Sequence, residues 1–584
     1  MTAKGNVELR EEIRKIALLN AVKHDGKAQA GAVIGKILGE RSELRSKVKE
    51  ISALINEVVV ETNKLSPDEQ KKIVEEKWPE ALVREKVEEE KHLPPLPNVG
   101  KYAQVVTRFS PNPDCVLHLG SARAIVLCYE YAKLYKGKFI LRFEDTDPKI
   151  KRPVPEFYDK IREDLAWLDC KPNGEYIQSD RIPLYYEYAE KLLTEGNAYV
   201  CTCQPEAFRK RTLANQPCPC RNLTAEENLK RWQRMLKGAY EEGAAVLRVK
   251  TDLDHPNPAV RDWPAARVID AKKHPHPRVG SKYYVWPLYN LACGVDDHLL
   301  GITHIIRGKE HLTNQVRQEF MYKHLGWKYP EAIHYGRLKI TGAYLSKSKI
   351  IQGIREGLFK DWDDPRLATF AALRRRGVTP EAIKKMIIDI GPKTQDVVLS
   401  WENLYAYNRK ILDPTAERFF FVQNPIELTV QKAPKEFDVK LHLHPEHPER
   451  GSREYIIKPE GENGEVNFWV SSKDVDGSKI GNIVRLMELF NIRIEKANIY
   501  SAEASFMSDS YDDAKKTKAQ LIHWIPVGKD MPCKVVMQDA TVIEGVAEGL
   551  CRELKPDMMI QFERFGFVRI DDVGKKLTVY YSHK

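Results

Sequence analysis

The sequence predicts a multidomain protein: a parallel α/β core, a helical segment before it, a second helical segment after it, and a β-rich C-terminal region. Three observations carry this. At 584 residues the chain is several domains long. Its hydrophobic texture changes near Tyr102, just past the run Leu93-Pro94-Pro95-Leu96-Pro97, from charged and helical to strand, loop, helix, strand. After Asp413 it changes again, to short β segments divided by Pro, Gly and Asp.

Residues 1–92 show no strand-like alternation. Ser66-Pro67-Asp68-Glu69 fits a helix start, with Ser66 as cap, Pro67 in the first turn and Glu69 completing a capping box. Leu93–Gly100 forbids helix and marks a boundary. Val105–Phe109 reads as a strand, Gly120–Tyr135 as a helix ended by Gly137, and Phe139–Phe143 as a second strand. Such a parallel unit binds ligands at the carboxyl ends of its strands. A Cys-rich stretch and the segment after it to about Ala271 interrupt it; the pattern resumes at Tyr284 and leads to a strand at Thr303–Arg307. Residues 360–412 read as helices. Near the C-terminus Leu577, Val579 and Tyr581 alternate with Thr578, Tyr580 and Ser582, as in a half-buried strand, and a β-barrel region is expected there.

Hydrophobic residues make up 42% and charged residues 30%, a balance suited to soluble globular cores. No run reaches the roughly 18 apolar residues a membrane helix needs. The opening residues lack a secretory pattern, so a soluble, cytoplasmic protein is expected. The net charge of +10 fits a polyanionic partner, or a surface that simply stays soluble. Four of the ten Cys crowd into residues 201–220, which suggests metal binding more than disulfides.

Two loops carry candidate chemistry. In Arg108-Phe-Ser-Pro-Asn-Pro-Asp-Cys-Val-Leu-His118-Leu-Gly120-Ser121, a His and a small polar residue bracket a Gly where a loop enters a helix. Helix N-termini suit anions; His118 can donate to a phosphate, and Gly120 lets a flat base approach the backbone. In Leu338-Lys-Ile-Thr-Gly342-Ala-Tyr-Leu345-Ser346-Lys347-Ser348-Lys349, a Lys sits among hydroxyls in a Gly-containing loop that can close on a triphosphate. Taken singly, each is better explained by the bland reading, a structural His and a solvated surface loop.

Together, with Arg142-Phe-Glu144-Asp145-Thr146-Asp147-Pro148 between them, these stretches resemble the class I aminoacyl-tRNA synthetases. The His118 stretch matches the HIGH motif of that family and the Lys347 loop its KMSKS motif. The wording is closest to the glutamyl-tRNA synthetases of archaeal type, with further matches at HPNPAVRDWP (255–264), VDDHLLGITHIIRG (295–308) and QFERFGFVRID (561–571). Ser121 replaces the last His of HIGH, Cys115 stands where a Gly is usual, and Tyr344 replaces the first Lys of KMSKS.

The resemblance implies an ATP-dependent ligase that makes glutamyl-adenylate and passes the acyl group to tRNA. His118 and Lys347 would be catalytic, and His118, Gly120, Ser121, Ser346 and Lys347 would bind ATP, with Mg2+ bridging phosphates. Arg108, Asn112, Glu144, Tyr289 and Arg307 would form the amino-acid pocket, Glu144 meeting the ammonium group. Arg307 would select glutamate, since the glutaminyl relatives carry a neutral residue there; RFEDTDP likewise resembles the glutamyl form. A glutaminyl-tRNA synthetase and an inactive tRNA-binding scaffold are the alternatives.

Cys201-Thr-Cys203 and Cys218-Pro-Cys220 can close a tetrahedral Zn2+ site, the alternatives being free thiols or disulfides. The implied domains are 1–96, helical N-terminal; 101–200 and 284–350, the halves of a Rossmann-like catalytic domain; 201–283, an acceptor-binding insertion with the zinc knuckle; 351–412, a helical connector; and 413–584, an anticodon-binding β-barrel region. The implied partners are glutamate and tRNA(Glu), with tRNA(Gln) open and no membrane. For the N-terminal segment, tRNA contact, docking of a protein partner and plain stabilisation all fit. Arg374-Arg375-Arg376 could meet phosphates or face solvent, and Phe419, Phe420 and Phe421 could stack on bases or join the core.

Overall fold

The computed structural model describes residues 3–23, 26–40, 48–78, 92–344 and 346–584; Leu345 of the lysine loop lies outside them. The chain divides into two compact units, Met1–Lys91 and His92–Lys584.

The first unit contains α1 (Ala3–Lys23), α2 (Ala30–Glu40), α3 (Val48–Thr62) and α4 (Pro67–Lys77). Leu9, Ile13, Ala17 and Ala21 recur every fourth residue along α1 and pack with Val33, Ile37, Ile51, Ile55 and Val58. The capping box forms: Ser66 Oγ accepts from Glu69 N–H at 3.3 Å, and Glu69 Oε2 accepts from Ser66 N–H at 2.8 Å.

The break at Lys91–His92 falls before the proline run, upstream of the expected boundary at residue 96. The prolines belong to the second unit. Tyr131 Oη donates to Pro94 O at 2.9 Å, and Leu96 is buried in the α/β core. That core begins with β1 (Val106–Phe109), α5 (Leu119–Leu134), β2 (Lys138–Phe143), α6 (Pro155–Trp167) and β3 (Gly174–Ile177), the three strands pairing in parallel. Val105 and Gly120–Tyr135 shift by one residue at these ends, the ordinary fraying of a boundary.

An insertion follows: α7 (Ile182–Thr194), β4 (Ala198–Cys201), α8 (Pro205–Leu213), α9 (Ala225–Leu236), β5 (Val246–Val249), β6 (Pro264–Val268) and β7 (Val285–Pro287). Its four strands form one antiparallel sheet. The parallel pattern resumes with α10 (Tyr289–Leu299), β8 (His304–Gly308), α11 (Leu312–Leu325) and β9 (Glu331–Tyr335). Thr303 N–H donates to Val106 O at 3.0 Å, and Cys128 Sγ reaches both Arg108 O (3.3 Å) and Ile306 O (3.7 Å). Thus β8 lies beside β1 and runs in the same direction. The first three strands step away from β1 on one side and β8–β9 on the other. The crevice where the order reverses is where such sheets bind ligands.

Next come β10 (Leu338–Ile340), α12 (Lys347–Arg355), α13 (Phe370–Arg375), α14 (Pro380–Ile390), β11 (Val397–Leu399) and α15 (Trp401–Leu412). Beyond them the chain builds two seven-stranded sheets. The expected alternation at the C-terminus holds only in part. Leu577 and Val579 are buried, but so are Ser582 and His583, while Tyr581 is not fully buried. Phe567 pairs with His583 and Val568 with Tyr581, so Ser582 is an extra residue, a β-bulge that flips the strand's parity.

Candidate active site

A cavity of about 620 Å3 opens at the carboxyl ends of β1, β2 and β8. Arg108 comes from the end of β1, Asn112 from the loop after it, Glu144 from just past β2, Tyr289 from the start of α10 and Arg307 from the end of β8; all line the cavity. Ser110 Oγ, Asn112 Oδ1, Asn290 Oδ1 and Arg307 Nε are buried there without a hydrogen-bond partner. Buried polar atoms are nearly always paired, so orphans gathered on one cavity mark a place prepared for a polar ligand.

The charges around the cavity are not evenly matched. Arg108 Nε bonds Asp297 at 3.1 Å, and Arg142 bonds Asp297 at 2.6 Å and Glu144 at 3.0 Å. Arg181 bonds Asp296 at 2.8 Å. Burial would raise the Asp297 carboxyl, but Arg108 and Arg142 overcome it and hold it at about 2. Burial raises the Glu144 carboxyl against the pull of Arg142 and Arg108. Arg307 differs. It is 5% exposed and donates to Tyr289 Oη (3.4 Å), Gln318 Oε1 (3.2 Å) and Tyr329 Oη (3.0 Å), with no carboxylate partner among the described residues.

The two motif loops meet. His118 caps α5: its Nδ1 accepts from Gly120 N–H at 3.0 Å, so the neutral ring carries its proton on Nε2. Burial lowers the imidazole pKa and keeps it neutral. Gly120 serves that ring, since a Cβ there would come within 2.8 Å of His118 Cε1. Ser121 N–H donates to His118 O at 2.7 Å in the same first turn. Lys347 opens α12 and ion-pairs with Asp114, four residues before His118; Ser346 caps the helix by position, its hydroxyl bonding Ser348 Oγ at 3.2 Å rather than a backbone N–H. The segment Leu367–Phe370 ties both loops down. Leu119 N–H donates to Ala368 O at 2.9 Å, Phe370 N–H to Leu117 O at 3.2 Å, and Tyr344 bridges Leu367. Cys115 is buried with Val116 and Phe157, and Trp362 packs against them. A thiol fills that apolar space, and burial pushes it up to about 11 against the effect of Lys347. No glycine is needed there.

Cys201, Cys203, Cys218 and Cys220 converge, their sulfurs all within 4.8 Å of one another. Cys203 Sγ lies 3.4 Å from Cys218 Sγ and 3.8 Å from Cys220 Sγ, with no disulfide formed. Zn–S bonds of about 2.3 Å in a tetrahedron separate sulfurs by about 3.8 Å, so the cluster has the dimensions of a four-thiolate zinc site. Arg231 Nη1 donates to Cys220 Sγ at 3.3 Å, which suits a thiolate.

Residues 104–414 match the family described as "tRNA synthetases class I (E and Q), catalytic domain", and 416–507 and 521–571 match its anticodon-binding domains. The chain belongs to this family. It is 52% identical to the glutamate–tRNA ligase of Pyrococcus abyssi, over 99% of this chain and all (100%) of that one. It is 50% identical to that of Methanocaldococcus jannaschii, again over 99% and 100%. A solved glutamate tRNA ligase from Elizabethkingia meningosepticum, in complex with its amino acid, is 25% identical over 54% of this chain and 70% of that chain, with a TM-score of 0.41.

Several synthetase residues around the cavity escape motif reading. Gln318 and Tyr329 touch Arg307 rather than form a pattern, Asp297 and Ser110 lie inside matched stretches that assigned them no role, and Asn290 is an ordinary polar residue beside Tyr289. The pair Asp296-Asp297 was the available signal, two acids in a row after the apolar run Leu291–Val295 of that helix. Of the proposed nucleic-acid contacts, Phe419, Phe420 and Phe421 are buried in the C-terminal sheets and cannot stack on bases. Arg375 pairs with Asp363 and Asp571, and Arg376 is buried against Tyr405. No helix among the described residues is long and apolar enough to cross a membrane.

Proposed function

We propose that the chain uses ATP to join glutamate to tRNA through glutamyl-adenylate. Full-length similarity to glutamate–tRNA ligases supports the class of reaction. The choice of amino acid rests on one observation: Arg307 is a buried cation held only by neutral acceptors, on a cavity it shares with Arg108, Asn112, Glu144 and Tyr289. A buried, unpaired charge is costly, and a substrate carboxylate would relieve that cost. Glutamine would bring no charge and leave it.

In this reading Glu144 meets the substrate ammonium. Arg108, its Nε and Nη2 taken by Asp297, offers Nη1 to the ligand. The glutamate α-carboxylate attacks the α-phosphorus of ATP, the bond to the β-phosphate oxygen breaks, and pyrophosphate leaves. A ribose hydroxyl of the terminal adenosine of tRNA then attacks the acyl carbon, releasing AMP. His118 Nε2–H donates to a phosphate oxygen, and Gly120, Ser121 and Ser346 present the first turns of α5 and α12 to the nucleotide. Lys347 exchanges Asp114 for the charge that builds on the leaving phosphates. Mg2+ carried by the nucleotide would add to the neutralisation of phosphate charge that His118 and Lys347 provide. The four cysteines would hold a structural Zn2+ with no open coordination position, which suits a reducing, cytoplasmic setting.

The division of labour follows. Residues 101–200 and 284–350 carry the chemistry, 201–283 grip the acceptor end, and 351–412 connect to an anticodon-binding region at 413–584. Residues 1–96 add contacts to tRNA or to a protein. ATP–pyrophosphate exchange tests the central reaction. We expect exchange with glutamate and not glutamine, rising when tRNA(Glu) is present. Faster exchange with glutamine, or none with either amino acid in the presence of tRNA, would overturn it. Charging of tRNA(Gln) in the same assay decides whether that tRNA is a second partner.

A further inference from the structure

We propose that Gln318 is a positioning residue that sets amino-acid specificity by holding Arg307 without neutralising it; this rests on the glutamate reading above. Gln318 is fully buried on α11, eleven residues after Arg307 in the chain. Its Oε1 accepts from Arg307 Nη1 at 3.2 Å and from Tyr329 Oη at 2.8 Å. Tyr329 Oη in turn accepts from Arg307 Nη2 at 3.0 Å. A guanidinium has only donors, so the amide oxygen must face it and the orientation of Gln318 is fixed. The amide nitrogen is then left buried without a partner, as is Arg307 Nε.

That orphaned donor is the informative feature. A glutamate at 318 has nearly the same shape, would accept from the same two groups, and would leave no orphaned N–H. It would also pair with a buried cation that has no carboxylate. By local stability alone, glutamate is the better residue. Glutamine keeps Arg307 aligned while leaving its charge uncompensated. Elsewhere around the cavity the opposite holds: Arg108, Arg142 and Arg181 are all balanced by Asp296, Asp297 and Glu144. The groups around Arg307 are kept neutral in other ways too. Burial, with Arg307 and Arg108, lowers His311 and His334, and burial raises the thiol of Cys293. Arg317 and Lys151 also line the cavity without an ion pair among the described residues, but both are more exposed; the buried, unspent charge of Arg307 thus faces a ligand whose side chain is anionic.

The test measures aminoacylation of tRNA(Glu) by wild type, Gln318→Glu, Gln318→Met and Arg307→Cys, taking the glutamate KM, kcat and the inhibition constant of glutamine. Gln318→Glu should raise the glutamate KM by roughly 10- to 100-fold, the scale of one charge-assisted bond, with kcat and glutamine inhibition changed less than about threefold. Gln318→Met keeps Arg307 charged and should hold the preference for glutamate over glutamine within about threefold, even where both bind more weakly. A merely structural role would weaken both amino acids together in Gln318→Glu, and that result overturns the inference. So does loss of preference in Gln318→Met, which also decides the matter should Gln318→Glu fail to fold. Arg307→Cys separates the two levels. If it leaves the preference unchanged, the glutamate reading itself fails; if it abolishes the preference and Gln318→Glu does not, only the role of Gln318 fails.

Discussion

His311 lines the cavity, His334 sits near Arg307, and both are held neutral by the same surroundings. Burial first, then Arg307 and Arg108, lowers each imidazole to about 4. Unfolded, each would titrate near 6.5. As pH falls below 6.5 the unfolded chain takes up protons that the folded chain refuses, so these groups withdraw stability progressively down to about pH 4. The expected result is a melting temperature that falls between pH 7 and pH 5, and a shallower fall in His334→Gln. Superimposable curves for the two proteins would refute it. At this scale motif residues were readable because they recur in a fixed order: Arg108, Asn112, Glu144, Tyr289 and Arg307 do line one cavity. Gln318 and Tyr329 were not readable, because what matters about them is the atom they touch and the charge they lack.

Among elements, local signals were legible and long-range pairing was not. The Ser66 capping box, the strand–helix–strand unit and the paired cysteines all depend on residues close in sequence, and each formed. The tie of Leu367–Phe370 across the His118 and Lys347 loops depends on backbone bonds between distant segments, and the Ser582 bulge on a register set by Gly566–Val573. Neither leaves a mark in periodicity. The cysteine cluster allows a direct prediction. Cys201 ends β4, while Cys218 and Cys220 lie in a turn seventeen or more residues on, so the metal would join segments that otherwise share little core. Freshly reduced protein should carry about one zinc per chain, with metal affinity lost in Cys203→Ser. Chelation should speed proteolytic cleavage between residues 203 and 218. Absence of stoichiometric zinc would remove the site from the functional account.

At the scale of the whole molecule, charge is distributed unequally between the two compact units. Residues 1–91 hold equal numbers of acidic and basic side chains, so the net +10 belongs to His92–Lys584. Each tRNA phosphate neutralised by Lys or Arg releases counterions, and affinity falls with salt in proportion to the number of such contacts. If the second unit supplies those contacts, removing residues 1–91 should leave the slope of log affinity against log salt unchanged, whatever it does to affinity itself. The cut must fall at Lys91. Cutting at residue 95 would delete Pro94, whose carbonyl accepts from Tyr131 on α5, and would leave that hydroxyl unpaired beside the core. Filter binding of tRNA(Glu) between 50 and 300 mM salt measures both proteins. A slope that drops by one or more on truncation would assign phosphate contacts to the helical unit and make it a tRNA-binding element; equal slopes with equal affinity would leave protein docking or plain stabilisation as its role.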